Sequence, residues 1–152
     1  TRRSSDLEQL HAVAQSKKLS VAGKTIAVID DDPSVLEGYA KALTNRGAVV
    51  IKIELAEQAF EDQMIMLEAT QLDFIISDYR LGTSTGAELI HKLREVLDRE
   101  IPAMIVTADT SPAHIQYFSE LNIPVVHKPI SFQQVIEVLE SRLGQSAKVT
   151  SE

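Results

Sequence analysis

From Lys24 onward, short apolar runs alternate with longer amphipathic stretches, and this alternation limits the fold more than any other feature. The runs are TIAVID (25–30), AVVIKI (48–53), LDFIISD (72–78), IPAMIVTA (101–108) and the brief PVVHK (124–128). Three are almost continuously apolar, which suits parallel strands covered on both faces. AVVIKI alternates more and reads as an edge strand. Strands separated by helical stretches predict an α/β fold, an open parallel sheet with helices on both faces.

The intervening stretches carry helix punctuation. Asp32 can cap a helix that has Pro33 at its first position, and Gly47 closes it. Val35, Tyr39, Ala42 and Leu43 recur there at helical spacing. Thr85 with Glu88, and Ser131 with Gln134, form capping-box patterns, and Ser111–Pro112 opens a further helix. Residues 57–70 fill the remaining interval, with Phe60, Met64 and Leu67 on one side.

The 152 residues, 44% of them hydrophobic, suit one domain with extra chain at its ends. A domain of this size buries roughly 68–70% of its unfolded surface and needs no disulfide or metal to hold a core. There is no cysteine, which excludes disulfides and thiolate metal sites. No apolar run approaches the ~20 residues of a membrane span and no signal-peptide pattern opens the chain, so it reads as a soluble protein or fragment. It begins at Thr1 without an initiating methionine, as a piece of a longer protein would.

Residues 1–23 stand outside the alternation and read as a leader or linker helix, DLEQLHAVAQSKKL, with a capping box at Ser5 and Glu8. Residues 24–143 form the domain, and 144–152 read as a disordered polar tail. Net charge is −7 overall, but residues 1–24 carry +3 and the remainder −10. An acidic body argues against nucleic acid as a partner, because neutralising phosphates needs a basic face.

In open parallel α/β sheets, ligands sit beyond the carboxyl ends of the strands. The first strand delivers Asp30 and Asp31 there, the third Asp78, the fourth Thr107 and the fifth Lys128. Two like charges about 4 Å apart repel by roughly 4 kcal/mol near a protein surface, so the carboxylates need a neutralising partner. Hard oxygen ligands suit Mg²⁺. The lysine and the threonine remain to grip an anion beside it.

The set VIDDDP, IISDYRLG, VTAD and HKPI, in this order on these strand ends, resembles the receiver domain of two-component signalling over about residues 24–143. The resemblance implies a flavodoxin-like strand order 2-1-3-4-5 and a domain that catalyses its own phosphorylation. Asp78 would be the phosphoacceptor, Asp30 and Asp31 would hold Mg²⁺ with it, and the backbone carbonyl of Arg80 would complete the protein ligands. Thr107 and Lys128 would contact phosphoryl oxygens, with Lys128–Pro129 a cis peptide. The donor would be a histidine kinase or a histidine phosphotransfer domain, and the location cytoplasmic, free or tethered to a membrane sensor kinase. DYRLGTSTGAELI and VTADTSP…HKPI are most similar to the carboxyl-terminal receiver of hybrid sensor histidine kinases.

Two positions depart from the common receiver pattern. Val125 stands where many receivers have an aromatic switch residue, and Leu81-Gly82 where many have Met-Pro. A β-branched chain in a strand is stiff, so the last two helices are expected to respond weakly to phosphorylation. Arg80 and Asp109, each two residues beyond a site residue, are expected to flank the pocket and pair across its mouth.

Two other functions fit parts of the sequence. Asp30-Asp31-Asp32 also matches the nucleophile motif of haloacid-dehalogenase-like phosphatases, but after Lys128 the only acids are Glu137, Glu140 and Glu152, none at a strand end. A pseudo-receiver that docks a partner without phosphorylation is the second. Asp32 alone reads as a helix cap. His11, His91, His114 and His127 lack ligand spacing and read as surface or local contacts, while Tyr39, Met64, Met66 and Phe118 read as packing residues.

Overall fold

The computed structural model describes residues 21–151, apart from 54, 56, 69, 109, 110 and 122. The expected leader helix and Asp109 therefore lie outside the described residues. The elements, in chain order, are β1 (Thr25–Ile29), α1 (Pro33–Thr44), β2 (Val49–Ile53), α2 (Glu57–Glu68), β3 (Phe74–Asp78), β4 (Arg80–Leu81), β5 (Ser84–Thr85), α3 (Gly86–Leu97), β6 (Ala103–Thr107), α4 (Pro112–Leu121), β7 (Val125–His127) and α5 (Phe132–Ser151). The main sheet has the order β2-β1-β3-β6-β7, all pairs parallel. Counting only its own strands, that is the expected 2-1-3-4-5.

Residue alternation along the strands feeds two separate cores. Ala27, Ile29, Ile75, Ala103 and Ile105 pack with Met64, Leu67, Ile90 and Leu93 of α2 and α3. Ile26, Val28, Phe74, Ile76, Met104 and Val106 pack with Leu36, Tyr39 and Leu43 of α1 and with Val135, Ile136 and Leu139 of α5. Both faces are thus covered, which is why the central strands read as unbroken apolar runs. Each fully buried aliphatic side chain contributes about 1.5–3 kcal/mol relative to leaving it in water. AVVIKI is an edge strand as expected, with Val49 half exposed and Lys52 paired to Glu37 of α1. A charge there discourages further strand pairing.

The caps explain where helices begin. Asp32 accepts the Ser34 N–H at 2.9 Å, with Pro33 at the first position. Thr85 accepts the Glu88 N–H at 3.2 Å. Ser131 and Gln134 bond reciprocally, Gln134 N–H to the Ser131 hydroxyl at 3.1 Å and Ser131 N–H to Gln134 Oε1 at 3.0 Å. The first helix ends at Thr44, and Gly47, with φ +89°, shapes the turn that leads into β2.

Three features differ from expectation. Val21 is fully buried in the second core, so the domain begins before Lys24. The short antiparallel pair β4–β5, turning at Gly82 with φ +65°, has no counterpart in the sequence pattern, because two-residue strands are too short to show a period. Finally, α5 continues to Ser151, so residues 144–151 have helical backbone where a disordered tail is expected. One glycine costs a helix only ~1 kcal/mol, and Gln145, Ala147 and Lys148 favour continuation.

Candidate functional site

Parallel register builds the site. Ile29 pairs with Ser77, Asp78 with Val106, and Thr107 with His127, so the residues that follow emerge at one edge of the sheet. A carboxylate oxygen from each of Asp30, Asp31 and Asp78 lies within 4.8 Å of the others. Asp30 is 5% exposed, Asp31 is exposed and Asp78 is intermediate. Lys128 Nζ stands 3.4 Å from Asp78 Oδ2, and the Lys128–Pro129 peptide is cis. Thr107 is buried, and its carbonyl accepts the Lys128 N–H at 2.8 Å.

Each carboxylate is oriented locally. Asp30 Oδ1 accepts the Asp32 N–H at 2.9 Å, and Asp78 Oδ1 accepts the Tyr79 N–H at 2.8 Å. Burial pushes the Asp30 carboxyl up to about 6, opposed by the Asp32 N–H. The Asp78 charge adds to the rise, Lys128 opposes it, and Asp31 adds a little more. Asp32 is shifted in the opposite direction: its bonds with the Ser34 hydroxyl and N–H hold it below the usual carboxylate range. It caps α1 and does not join the cluster.

A buried carboxyl pushed toward neutrality beside two more carboxylates is relieved by a divalent cation. The all-oxygen donor set is the kind Mg²⁺ takes. The residues present fit that ion. Arg80, proposed from the sequence as a carbonyl ligand, opens β4 two residues beyond Asp78, with its side chain exposed. Val125, half-buried, pairs with Ile105 and packs against the first core.

The strand that ends at Asp78 is also held from behind. The Gly86 N–H donates to the Tyr79 carbonyl at 2.7 Å, and a Cβ on Gly86 would stand 2.2 Å from the Asp78 carbonyl oxygen and 2.6 Å from Ser77 Oγ. Only glycine lets α3 start this close to the strand end. Gly86→Ala is therefore expected to destabilise the domain by about 1–3 kcal/mol through overpacking, read as a lower melting temperature with slower phosphorylation. An unchanged melting temperature would show that the helix start moves freely.

Sequence reasoning missed two aromatic contacts near the cluster. Tyr39 packs edge-on against Phe132, centroids 4.8 Å apart, and its hydroxyl pKa is raised by burial and by the charges of Asp30 and Asp78. Tyr79 packs edge-on against His114 at 5.4 Å, and Ser111 Oγ lies 2.8 Å from His114 Nδ1. Neither contact leaves a periodic or motif signal.

The model of the response regulator receiver domain matches residues 26–140. The transcriptional regulatory protein GlrR of Escherichia coli (strain K12) is 26% identical over 128 residues, 84% of this chain, and this chain spans 28% of that relative. The chemotaxis protein CheY4 of Vibrio cholerae shares the fold at TM-score 0.64 and 21% identity, covering 79% of this chain and 98% of its own. A Burkholderia pseudomallei response regulator, solved with a phosphorylated aspartic acid and a calcium ion, aligns at TM-score 0.63 and 20% identity over 84% of this chain and 72% of its own. With most of its length matched by that one model and its strand order in agreement, the chain belongs to the response regulator receiver domain family.

Proposed function

We propose that the domain accepts a phosphoryl group from a phosphohistidine donor onto Asp78, as a step in two-component signalling or a phosphorelay. The observation that carries this reading is the division of labour between the two Asp78 oxygens. Oδ1 is committed to the Tyr79 N–H, while Oδ2 faces the Lys128 ammonium at 3.4 Å. Oδ2 is thus the oxygen left to attack. The Oδ2–P bond forms, the P–N bond to the donor imidazole breaks, and its electron pair stays on the ring nitrogen, which takes a proton from solvent.

Lys128 then pairs with a phosphoryl oxygen, and the Thr107 hydroxyl bonds another. Asp30, Asp31 and Asp78, with the Arg80 carbonyl, would hold Mg²⁺. When bound, the ion screens the charge of the incoming phosphoryl oxygens and of the carboxylates together. A histidine kinase or histidine phosphotransfer domain is the partner in this reading, and the location is cytoplasmic, free or tethered. The acidic body supports a protein partner over nucleic acid. The motif wording supports a carrier role like that of the receiver fused to a hybrid sensor kinase.

Against a dehalogenase-like phosphatase stands the placement of its needed second acidic pair. Glu140 is ion-paired to Arg46 at 2.5 Å, and Glu137 is exposed on α5. Incubation with acetyl phosphate, with and without Mg²⁺, followed by peptide mapping, tests all three readings. Mg²⁺-dependent label on Asp78 is expected. Label on Asp30 or Asp31 would indicate phosphatase-like chemistry, and absence of label a pseudo-receiver.

A further inference from the structure

The contact between Tyr79 and His114 has no part in the transfer itself, yet it touches both the acceptor and α4. The Tyr79 N–H is shared between two acceptors, Asp78 Oδ1 at 2.8 Å and the Val106 carbonyl at 3.1 Å. Its ring, 6% exposed, meets the His114 ring edge-on at 5.4 Å with an interplanar angle of 62°. His114 lies in the first turn of α4, and its Nδ1 is 2.8 Å from Ser111 Oγ in the loop leading from Thr107. Among the described side chains of α4, His114 is the one that is not exposed.

From this arrangement we infer that His114 is a positioning residue that carries the state of Asp78 to the first turn of α4, through Tyr79. The inference rests on the phosphoacceptor reading. Phosphorylation of Oδ2 turns Oδ1 from a carboxylate oxygen into the carbonyl oxygen of an acyl phosphate. Its bond from the Tyr79 N–H then loses its charge assistance, and charge-assisted bonds are roughly twice as strong as neutral ones. The shared N–H moves toward Val106, and the Tyr79 ring moves with it against His114. Through its contact with Ser111, His114 turns the displacement into a movement of residues 111–116. The response thus enters α4 at its amino end and bypasses β7, where Val125 is too small and stiff to serve.

The test compares amide and aromatic spectra of the wild type, His114→Ala and His114→Phe, each with and without acetyl phosphate and Mg²⁺. In the wild type the Tyr79 and His114 ring signals should shift together with the amides of residues 111–116. His114→Ala should label to the same extent, with Lys128 shifting as before, while the changes over 111–116 fall about threefold. His114→Phe keeps a ring against Tyr79 and should recover part of the response, which a merely structural role would not predict. An undiminished response over 111–116 in a fully labelled His114→Ala protein overturns the coupling alone. Failure of the wild type to label overturns the phosphoacceptor reading, and the coupling with it.

Discussion

Asp78→Asn is expected to lower phosphoryl incorporation from acetyl phosphate by at least ~100-fold, since it removes the nucleophile itself. The fold should survive. Asparagine keeps the side-chain volume, and its carbonyl can still accept the Tyr79 N–H that Asp78 Oδ1 accepts at 2.8 Å. The substitution also removes one charge from the cluster. Because the Asp78 charge helps push Asp30 up, its loss should let Asp30 ionise more readily. The melting temperature of the metal-free variant should therefore equal or exceed that of the wild type near neutral pH. Lys128 loses its ionic partner, but it is about 39% exposed at the side chain and water replaces the carboxylate at little cost. Two measurements decide the matter, phosphate label per chain and thermal unfolding by circular dichroism. Label retained in a folded Asp78→Asn protein would move the acceptor to Asp30 or Asp31.

Much of this arrangement is legible in the sequence for a physical reason. The central strands are buried on both faces, so their apolar runs stand out, and parallel pairing then brings every strand's carboxyl end to one edge. Asp30, Asp78 and Lys128 could be placed together on that ground alone. The caps at Asp32, Thr85 and Ser131 were legible too, since each satisfies orphan N–H groups with its own side chain. Contacts between elements were not. The meeting of Tyr79 with His114 depends on where α4 lies against the strand end, and a single histidine carries no spacing to announce it. Val21 likewise stands outside the alternation, because one apolar residue in a turn has no period. The end of α5 does not stand out in the sequence because its last residues are polar. Polarity distinguishes buried from exposed chain better than it distinguishes helix from coil.

The stability of the metal-free domain should fall as pH rises from about 4 to about 6, an unusual direction for a carboxylate. Asp30 has an ordinary value of 3.8 and is raised to about 6 in the fold. Between those values the folded state binds a proton that the unfolded chain has released, so raising pH favours unfolding. The contribution is fully present below about pH 4 and lost above about pH 6, and a shift of about two units corresponds to at most ~2–3 kcal/mol. Asp32 and Glu37 are shifted the other way, so their contributions are lost only as pH falls through values below the ordinary carboxylate range. They leave the window above about pH 4 clear. Mg²⁺ should reverse the trend. A cation that binds the three carboxylates only in the folded state adds RT ln(1 + [L]/Kd), about 1.4 kcal/mol at tenfold excess over Kd. For a domain of this size that is a rise of roughly 3–6 °C in melting temperature. The gain should be larger near pH 7.5 than near pH 5, where Asp30 must first give up its proton. Asp30→Asn should flatten the pH dependence and weaken the response to Mg²⁺ at once. A melting temperature that is indifferent to millimolar Mg²⁺ and climbs steadily through this window in its absence would mean that Asp30 is already ionised and that the cluster is no metal site.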